Sequence, residues 1–225
     1  MEIYAYPLDN VAETARIYMA YRQCYHAGCV ANLEEEKSLE EMGTFISNNI
    51  RKGHLSPLEH VQVSFIIEGV SRVTTHQLVR HRIASYSQQS QRYCKVNTDC
   101  IVLPKSVQTY FAKHPEKYDN LKRVLADYHT MMASGIVRED ARYILPEGMS
   151  SCIVMTMNLR SLLHFFNERL CGSAQWEIRE MAGKIAEATV NTFPWLKEFI
   201  APKCGHGSEC ADGKSKLCKE HTKWM

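Results

Sequence analysis

Hydrophobic and polar positions along this chain switch between two periods. In residues 38 to 52, Leu39, Met42, Ile46 and Ile50 recur every three or four positions and make one apolar stripe, which predicts a helix. Ser38 and Glu41 form a capping box at its start, and Gly53 stops it. Val61, Val63, Phe65 and Ile67 then alternate with polar residues, the pattern of a half-buried strand. Residues 2 to 6 read as a short strand and 10 to 22 as a helix. Ser71 can cap a helix running through about Arg82, and residues 85 to 93 read as extended. Residues 105 to 134 hold one or two helices, the first capped by Ser106, and 137 to 145 form a short helix ended by Pro146. Residues 149 to 157 suit a strand. Asn158 can cap a helix to about Leu170, and another runs from Ala174 to about Thr192. With no internal repeat and no low-complexity linker, this is a mixed α+β chain in a single domain.

Bulk numbers narrow the classes. The 225 residues suffice for one full core, and 45% hydrophobic with 23% charged is ordinary globular composition. A net charge of +2 is too small for a general polyanion binder. The start, MEIYAYPLDN, has an early acid and no basic then apolar run of a leader, and no apolar stretch reaches the eighteen or so residues of a membrane span. A cytoplasmic location is expected. Nine cysteines, an odd number with no C-x-x-C among them, then read as free thiols.

The basic character is local. From Gly69 to Thr98 there is no Asp or Glu, yet Arg72, Arg80, Arg82, Arg92 and Lys95 fall there with His76 and His81. Cations cluster at a cost unless an anion pairs with them, and Arg meets phosphate as a bidentate fork. The window reads as a site for a phosphorylated ligand, with Ser85, Ser87, Gln88, Gln89, Ser90 and Gln91 as neutral hydrogen-bonding groups. On a helix over 71 to 82, Gln77, Arg80 and His81 would share a face; in an extended segment Gln88, Ser90 and Arg92 would point one way. An RNA-binding module is the competing class, but Tyr86 and Tyr93 are the window's only aromatics, few for base stacking.

The order of residues goes further. RHRIASYSQQSQRY at 80 to 93, HLSPLEH at 54 to 60, REDARYILP at 138 to 146, NLRSLLHF at 158 to 165 and AQWEIR at 174 to 179 together resemble the flavin-dependent thymidylate synthases. The resemblance implies a twisted, mostly antiparallel sheet flanked by helices over residues 1 to 200, leaving a polar Cys/His-bearing tail at 201 to 225. It implies methylation of dUMP to dTMP, with methylenetetrahydrofolate as one-carbon donor, FAD as hydride carrier and NADPH as reductant. It implies a homotetramer with shared active sites, binding neither nucleic acid nor membrane. A flavin- or nucleotide-binding relative without synthase activity is the alternative.

Site residues follow from the same resemblance. Gln77, Arg80, Gln88, Gln89, Ser90, Gln91, Arg92, Arg142 and Arg169 would bind dUMP, with Arg169 catalytic. His54, Ser56, Glu59, Arg80, His81, Arg82, Asn158, Arg160 and His164 would hold FAD. Cys24 matches a small position that can touch the flavin, or is a buried structural thiol. Many family members carry Asn-Glu where this chain has Ser87-Gln88, so the negative charge of that Glu is missing here. On the helix from Asn158, Arg160 and His164 lie together while Arg169 falls half a turn around, which fits two neighbouring pockets. In the tail, Cys204, His206, Cys210, Cys218 and His221 are metal-type ligands. Five residues separate Cys204 from Cys210, more than a zinc pair uses, and no metal is assigned.

Overall fold

The computed structural model describes residues 1–32, 37–206 and 210. It is a mixed α+β fold with a four-stranded sheet in the order β1-β2-β4-β3. The strands are β1 (Glu2–Ala5), β2 (Gln62–Ser71), β3 (Ser85–Gln88) and β4 (Ser150–Asn158). The β2–β4 ladder is antiparallel. Leu159 N donates to Val61 O, Ser64 and Thr156 share a 2.7 Å hydroxyl contact, and Arg72 N donates to Met149 O. Val63, Phe65 and Ile67 of β2 and Ile153, Met155 and Met157 of β4 are buried, so the alternating reading of the first segment and the strand reading of the second hold.

The chain divides into two compact units, and β2 and β4 contribute residues to both. One comprises Met1–Glu2, Ile67–Arg80 and Tyr86–Val154. It carries α3 (Arg72–Leu78), α4 (Lys105–Lys113), α5 (Pro115–Ala133) and α6 (Arg138–Ala141). Val96, Leu125, Tyr128, Ala141 and Met149 form its apolar centre. Gly148 must be glycine, because a Cβ there would stand 2.9 Å from the Val102 carbonyl oxygen of the neighbouring backbone.

The other unit comprises Ile3–Ile66, His81–Ser85 and the described residues from Met155 onward. It carries α1 (Asn10–Gln23), α2 (Leu39–Arg51), α7 (Leu159–Arg169) and α8 (Trp176–Thr192). The α2 reading is met in detail. Ser38 Oγ accepts the Glu41 N–H, Glu41 accepts the Ser38 N–H, and Gly53 takes φ +85° where a side chain would be strained. Ile17, Tyr18 and Tyr21 of α1 and Met42, Ile46 and Ile50 of α2 are buried, with Phe45 edge-on to Tyr18. Gly43 seats Trp195, whose indole N–H donates to Thr14 Oγ1.

Three local expectations fail for identifiable reasons. The helix from Ser71 ends at Leu78, not near Arg82. Its next free carbonyl, Leu78 O, accepts the Tyr86 hydroxyl at 3.0 Å, which replaces the bond a longer helix would draw from Arg82. The extended segment ends at Gln88, because Ser90 folds back: its hydroxyl accepts the Arg92 N–H and its carbonyl the Cys94 N–H. Ser106 caps nothing; Pro104 occupies the cap of α4 without a side-chain bond. The 3-10 turn at Arg142–Ile144 completes the short helix expected over 137 to 145, others form at Ser56–His60 and Pro194–Phe199, and the last of these had no periodic signal. Among the described residues no helix is long and apolar enough to cross a membrane.

Candidate active site

In the first unit the polar residues gather around Gln88. Its amide donates to Thr75 Oγ1 at 3.0 Å and to Ser151 Oγ at 3.1 Å. Both hydroxyl residues are buried, and Thr75 donates onward to the Arg72 carbonyl at 3.1 Å. Gln88 therefore spends its donors inward and keeps its carbonyl oxygen for another group. Gln77 is half-buried and Arg80 exposed. Because α3 stops early, Arg80 and His81 do not share a helical face with Gln77, which corrects the reading of that segment.

Arg92 finds a counter-ion from beyond the acid-free window. Its guanidinium meets Glu139 Oε2 at 2.9 Å, both side chains being about half exposed. Arg142 Nε donates to the Glu139 carbonyl at 2.9 Å, and Arg138 donates to the Tyr93 carbonyl at 3.0 Å. Of these three guanidiniums only that of Arg92 meets the carboxylate; those of Arg142 and Arg138 are held by main-chain carbonyls. Ser90 is committed to its own turn rather than aligned with Gln88 and Arg92, again a correction. Gln89 is held by its N–H to the Cys152 carbonyl, and Gln91 is half-buried. Among the described residues Arg80 and Arg82 form no ion pair, so their charges stand available to an anion.

In the second unit α7 organises the chemistry. Asn158 accepts the Ser161 N–H at 2.8 Å and starts the helix. Within the first turn, Arg160 meets Glu59 Oε1 at 2.5 Å, and Glu59 is carried by the Ser56–His60 turn with Pro57 at its second position. At the far end Arg169 Nε donates to His81 Nε2 at 2.9 Å. Arg160 and Arg169 thus have different partners on different sides, as their half-turn separation requires. His164 is exposed, and its ring lies 6.1 Å from that of His81, which also packs edge-on to buried Phe165 at 5.1 Å. Burial pushes His81 down to about 4, with the Arg169 guanidinium and His164 acting the same way and Glu168 opposing. Glu168 itself is paired with Lys203.

His54 and Ser56 are exposed; the His54 carbonyl accepts the Tyr21 hydroxyl and its ring faces Tyr25 edge-on at 6.4 Å. Burial pushes the Tyr21 phenol up to about 12. Cys24 is exposed at the end of α1, which removes its reading as a buried thiol. Cys204 and Cys210 are free thiols, while Cys218 and His221 lie outside the described residues.

A family described as thymidylate synthase complementing protein matches residues 8–195 of this chain. The chain belongs to that family. The flavin-dependent thymidylate synthase of Nitratidesulfovibrio vulgaris is 41% identical over 215 residues, spanning 90% of this chain and 88% of that one. That of Pyrococcus abyssi is 48% identical over 166 residues, spanning 68% and 66%. Among solved structures, the UMP/dUMP methylase PolB from Streptomyces cacaoi, bound with 5-Br dUMP, superposes with a TM-score of 0.73 at 24% identity, covering 88% of this chain and 94% of that one. That likeness supports the shared fold.

The side chains of the second unit fit a flavin dinucleotide by the chemistry of their donors. Arg82 and Arg160 are exposed cations, and Arg160 commits one terminal nitrogen to Glu59 and keeps its others for a diphosphate. Asn158 has given its oxygen to the helix cap and has its NH2 to offer. His54, Ser56 and His164 are exposed polar groups in the same unit.

Some participants escaped the sequence. Thr75 and Ser151, which orient Gln88, gave no signal, because a buried threonine and a strand serine look like packing residues. Arg138 and Glu139 lay inside the REDARYILP match, and only their long-range partners, Tyr93 and Arg92, reveal a role.

Proposed function

We infer that this chain catalyses the reductive methylation of dUMP to dTMP as a flavin-dependent thymidylate synthase. The observation that carries this reading is the match to a flavin-dependent thymidylate synthase along 90% of the chain. FAD, when bound, supplies the hydride chemistry, with NADPH as the reductant and methylenetetrahydrofolate as the one-carbon donor. His54, Ser56, Glu59, Arg80, His81, Arg82, Asn158, Arg160 and His164 are the residues proposed to hold it.

The protein's own task is to bind, orient and stabilise charge. Gln77, Arg80, Gln88, Gln89, Ser90, Gln91, Arg92 and Arg142 are proposed to hold dUMP, the guanidiniums taking its phosphate. C5 of uracil must become nucleophilic toward a one-carbon unit, so electron density has to be accommodated on the ring. An arginine at the N3/O2 edge stabilises that anionic pyrimidine, and Arg169 is proposed for this role. Ser90 is proposed as a binding hydroxyl: its oxygen accepts the Arg92 N–H, and among the described residues it has no hydrogen bond to a side-chain base that would make it a nucleophile. The opposed partners of Arg160 and Arg169 on α7 support active sites shared between subunits of a homotetramer, working in the cytoplasm on small molecules.

Anaerobic conversion of dUMP, with methylenetetrahydrofolate and NADPH present and FAD supplied or withheld, tests the reading. Turnover that depends on FAD is expected. A folded chain saturated with FAD that makes no dTMP would overturn it, and sedimentation of a fully active monomer would overturn the tetramer.

A further inference from the structure

The contact between Arg169 and His81 has only one possible polarity. Arg169 Nε carries a hydrogen and has no lone pair to share, so at 2.9 Å it is the donor. His81 Nε2 must then be the acceptor and carry no proton. The imidazole is neutral, and its one proton sits on Nδ1. A histidinium would set N–H against N–H, so protonation and this contact exclude each other.

We propose that His81 is the positioning residue for Arg169, turning the guanidinium so that its two terminal nitrogens, and not its Nε edge, face the ligand. This rests on the assignment of Arg169 to the pyrimidine in the proposed function. A guanidinium has a side edge, Nε with one terminal nitrogen, and an end edge of the two terminal nitrogens; either can grip a planar O–C–N or carboxylate-like pair of acceptors. Occupying Nε removes the side edge. Among the described residues the terminal nitrogens of Arg169 have no hydrogen-bond partner, so the end edge remains for an anion with two coplanar acceptors. The anionic uracil ring, with O2 and N3 adjacent, has that form.

The imidazole is itself held. Phe165 packs edge-on against it at 5.1 Å, and it comes from the segment just after α3, on an element other than that of its arginine. The charged and titratable groups facing it include His164, Glu168 and Arg169, all from α7, and Lys203 holds Glu168. Burial and the two neighbouring basic groups keep the ring neutral, which is the state the contact needs. Acid would release Arg169 by protonating His81.

The test separates positioning from mere packing and from the function itself. His81→Gln puts an amide oxygen near the place of Nε2, accepts the same N–H and does not titrate. His81→Asn is too short to reach. At saturating FAD and with flavin content measured to correct for any loss of cofactor, His81→Asn should fall about 10- to 100-fold further in kcat per bound flavin than His81→Gln, the range of a lost hydrogen bond to a charged group. The His81→Gln profile should lack the acid loss of kcat that wild type shows as the ring protonates. Nitrogen NMR of histidine-labelled wild type should find His81 with Nδ1 protonated and Nε2 bare at neutral pH, a readout independent of turnover. If wild type makes no dTMP but that resonance pattern is found, the contact stands and the assigned reaction fails. If wild type is active and His81→Gln falls as far as His81→Asn, or Nε2 is protonated at neutral pH, the positioning role is overturned.

Discussion

The Gln88 amide donates to Thr75 Oγ1 at 3.0 Å, and Thr75 has already given its single hydroxyl proton to the Arg72 carbonyl at 3.1 Å. The direction of this chain of bonds explains why glutamine suits the position. Thr75 has lone pairs to offer and no second proton, so the residue facing it must be a donor. A carboxylate there would meet an oxygen lone pair unless Thr75 abandoned Arg72.

Gln88→Glu, the change toward the residue many family members carry, should therefore destabilise this chain. Leaving a buried acceptor facing a carboxylate costs about 1–3 kcal/mol, a few degrees of melting temperature for a chain of this size. The defect should shrink in acid, where the introduced carboxyl regains a donor proton, and grow as pH rises through its raised pKa. Thermal melts at two pH values read both. A variant as stable as wild type at neutral pH would mean that Thr75 gives up Arg72 readily and that the glutamine is not required.

This pair also marks where the sequence stopped being informative. The elements were legible wherever one periodic stripe or one cap fixed them, as in α2 with Ser38 and Glu41 or α7 with Asn158. They were misread where a distant side chain competed with the local pattern. Tyr86 takes the Leu78 carbonyl and shortens α3; the Ser90 hydroxyl turns the chain away from a strand. The acid-free window correctly drew attention to its arginines, yet its lack of counter-ions was a fact about sequence neighbours only. Glu139, far along the chain, supplies one to Arg92. The residues that face each other across such separations, Gln88 with Ser151 and His81 with Arg169, have no periodicity or spacing by which to find them.

A second prediction concerns pH and stability. Folded His81 has its pKa lowered to about 4 by burial first and Arg169 next, while an unfolded histidine titrates near 6.5. Between those values the unfolded chain binds more protons than the folded one, so stability falls as pH drops from about 6.5 toward 4. His81→Gln removes that contribution. The melting temperature of wild type should decline more steeply across this window than that of the variant, and parallel declines would show that His81 does not hold its proton off in the fold.

The third concerns thiols. None of the residues proposed to bind dUMP or FAD is a cysteine. Cys94 is exposed, and Cys152 and Cys171 are half-buried. Replacing each singly with Ala or Ser should leave measurable synthesis of dTMP, and at the exposed Cys94 should change stability by no more than about 0.5 kcal/mol. A folded, flavin-loaded variant with no turnover at all would identify that thiol as a nucleophile and defeat the non-covalent reading for it.

The fourth compares the two arginines of α7. Arg160 pairs with Glu59 near the helix start, and Arg169 pairs with His81 near its end. If Arg169 stabilises charge that develops on the pyrimidine, Arg169→Ala should lower kcat about 10²–10³-fold, the effect of removing one oxyanion donor, while flavin content stays near that of wild type. Arg169→Lys keeps the charge but has no planar fork and no Nε–H for His81, so it should recover only part of the loss. Arg160→Ala should behave in the opposite way, losing flavin first and activity as a consequence, with excess FAD restoring turnover. Measuring bound flavin and kcat for both variants, with and without added FAD, decides the matter. Rescue of Arg169→Ala by FAD, together with failure to rescue Arg160→Ala, would mean that the flavin and pyrimidine sides of α7 are the reverse of those assigned.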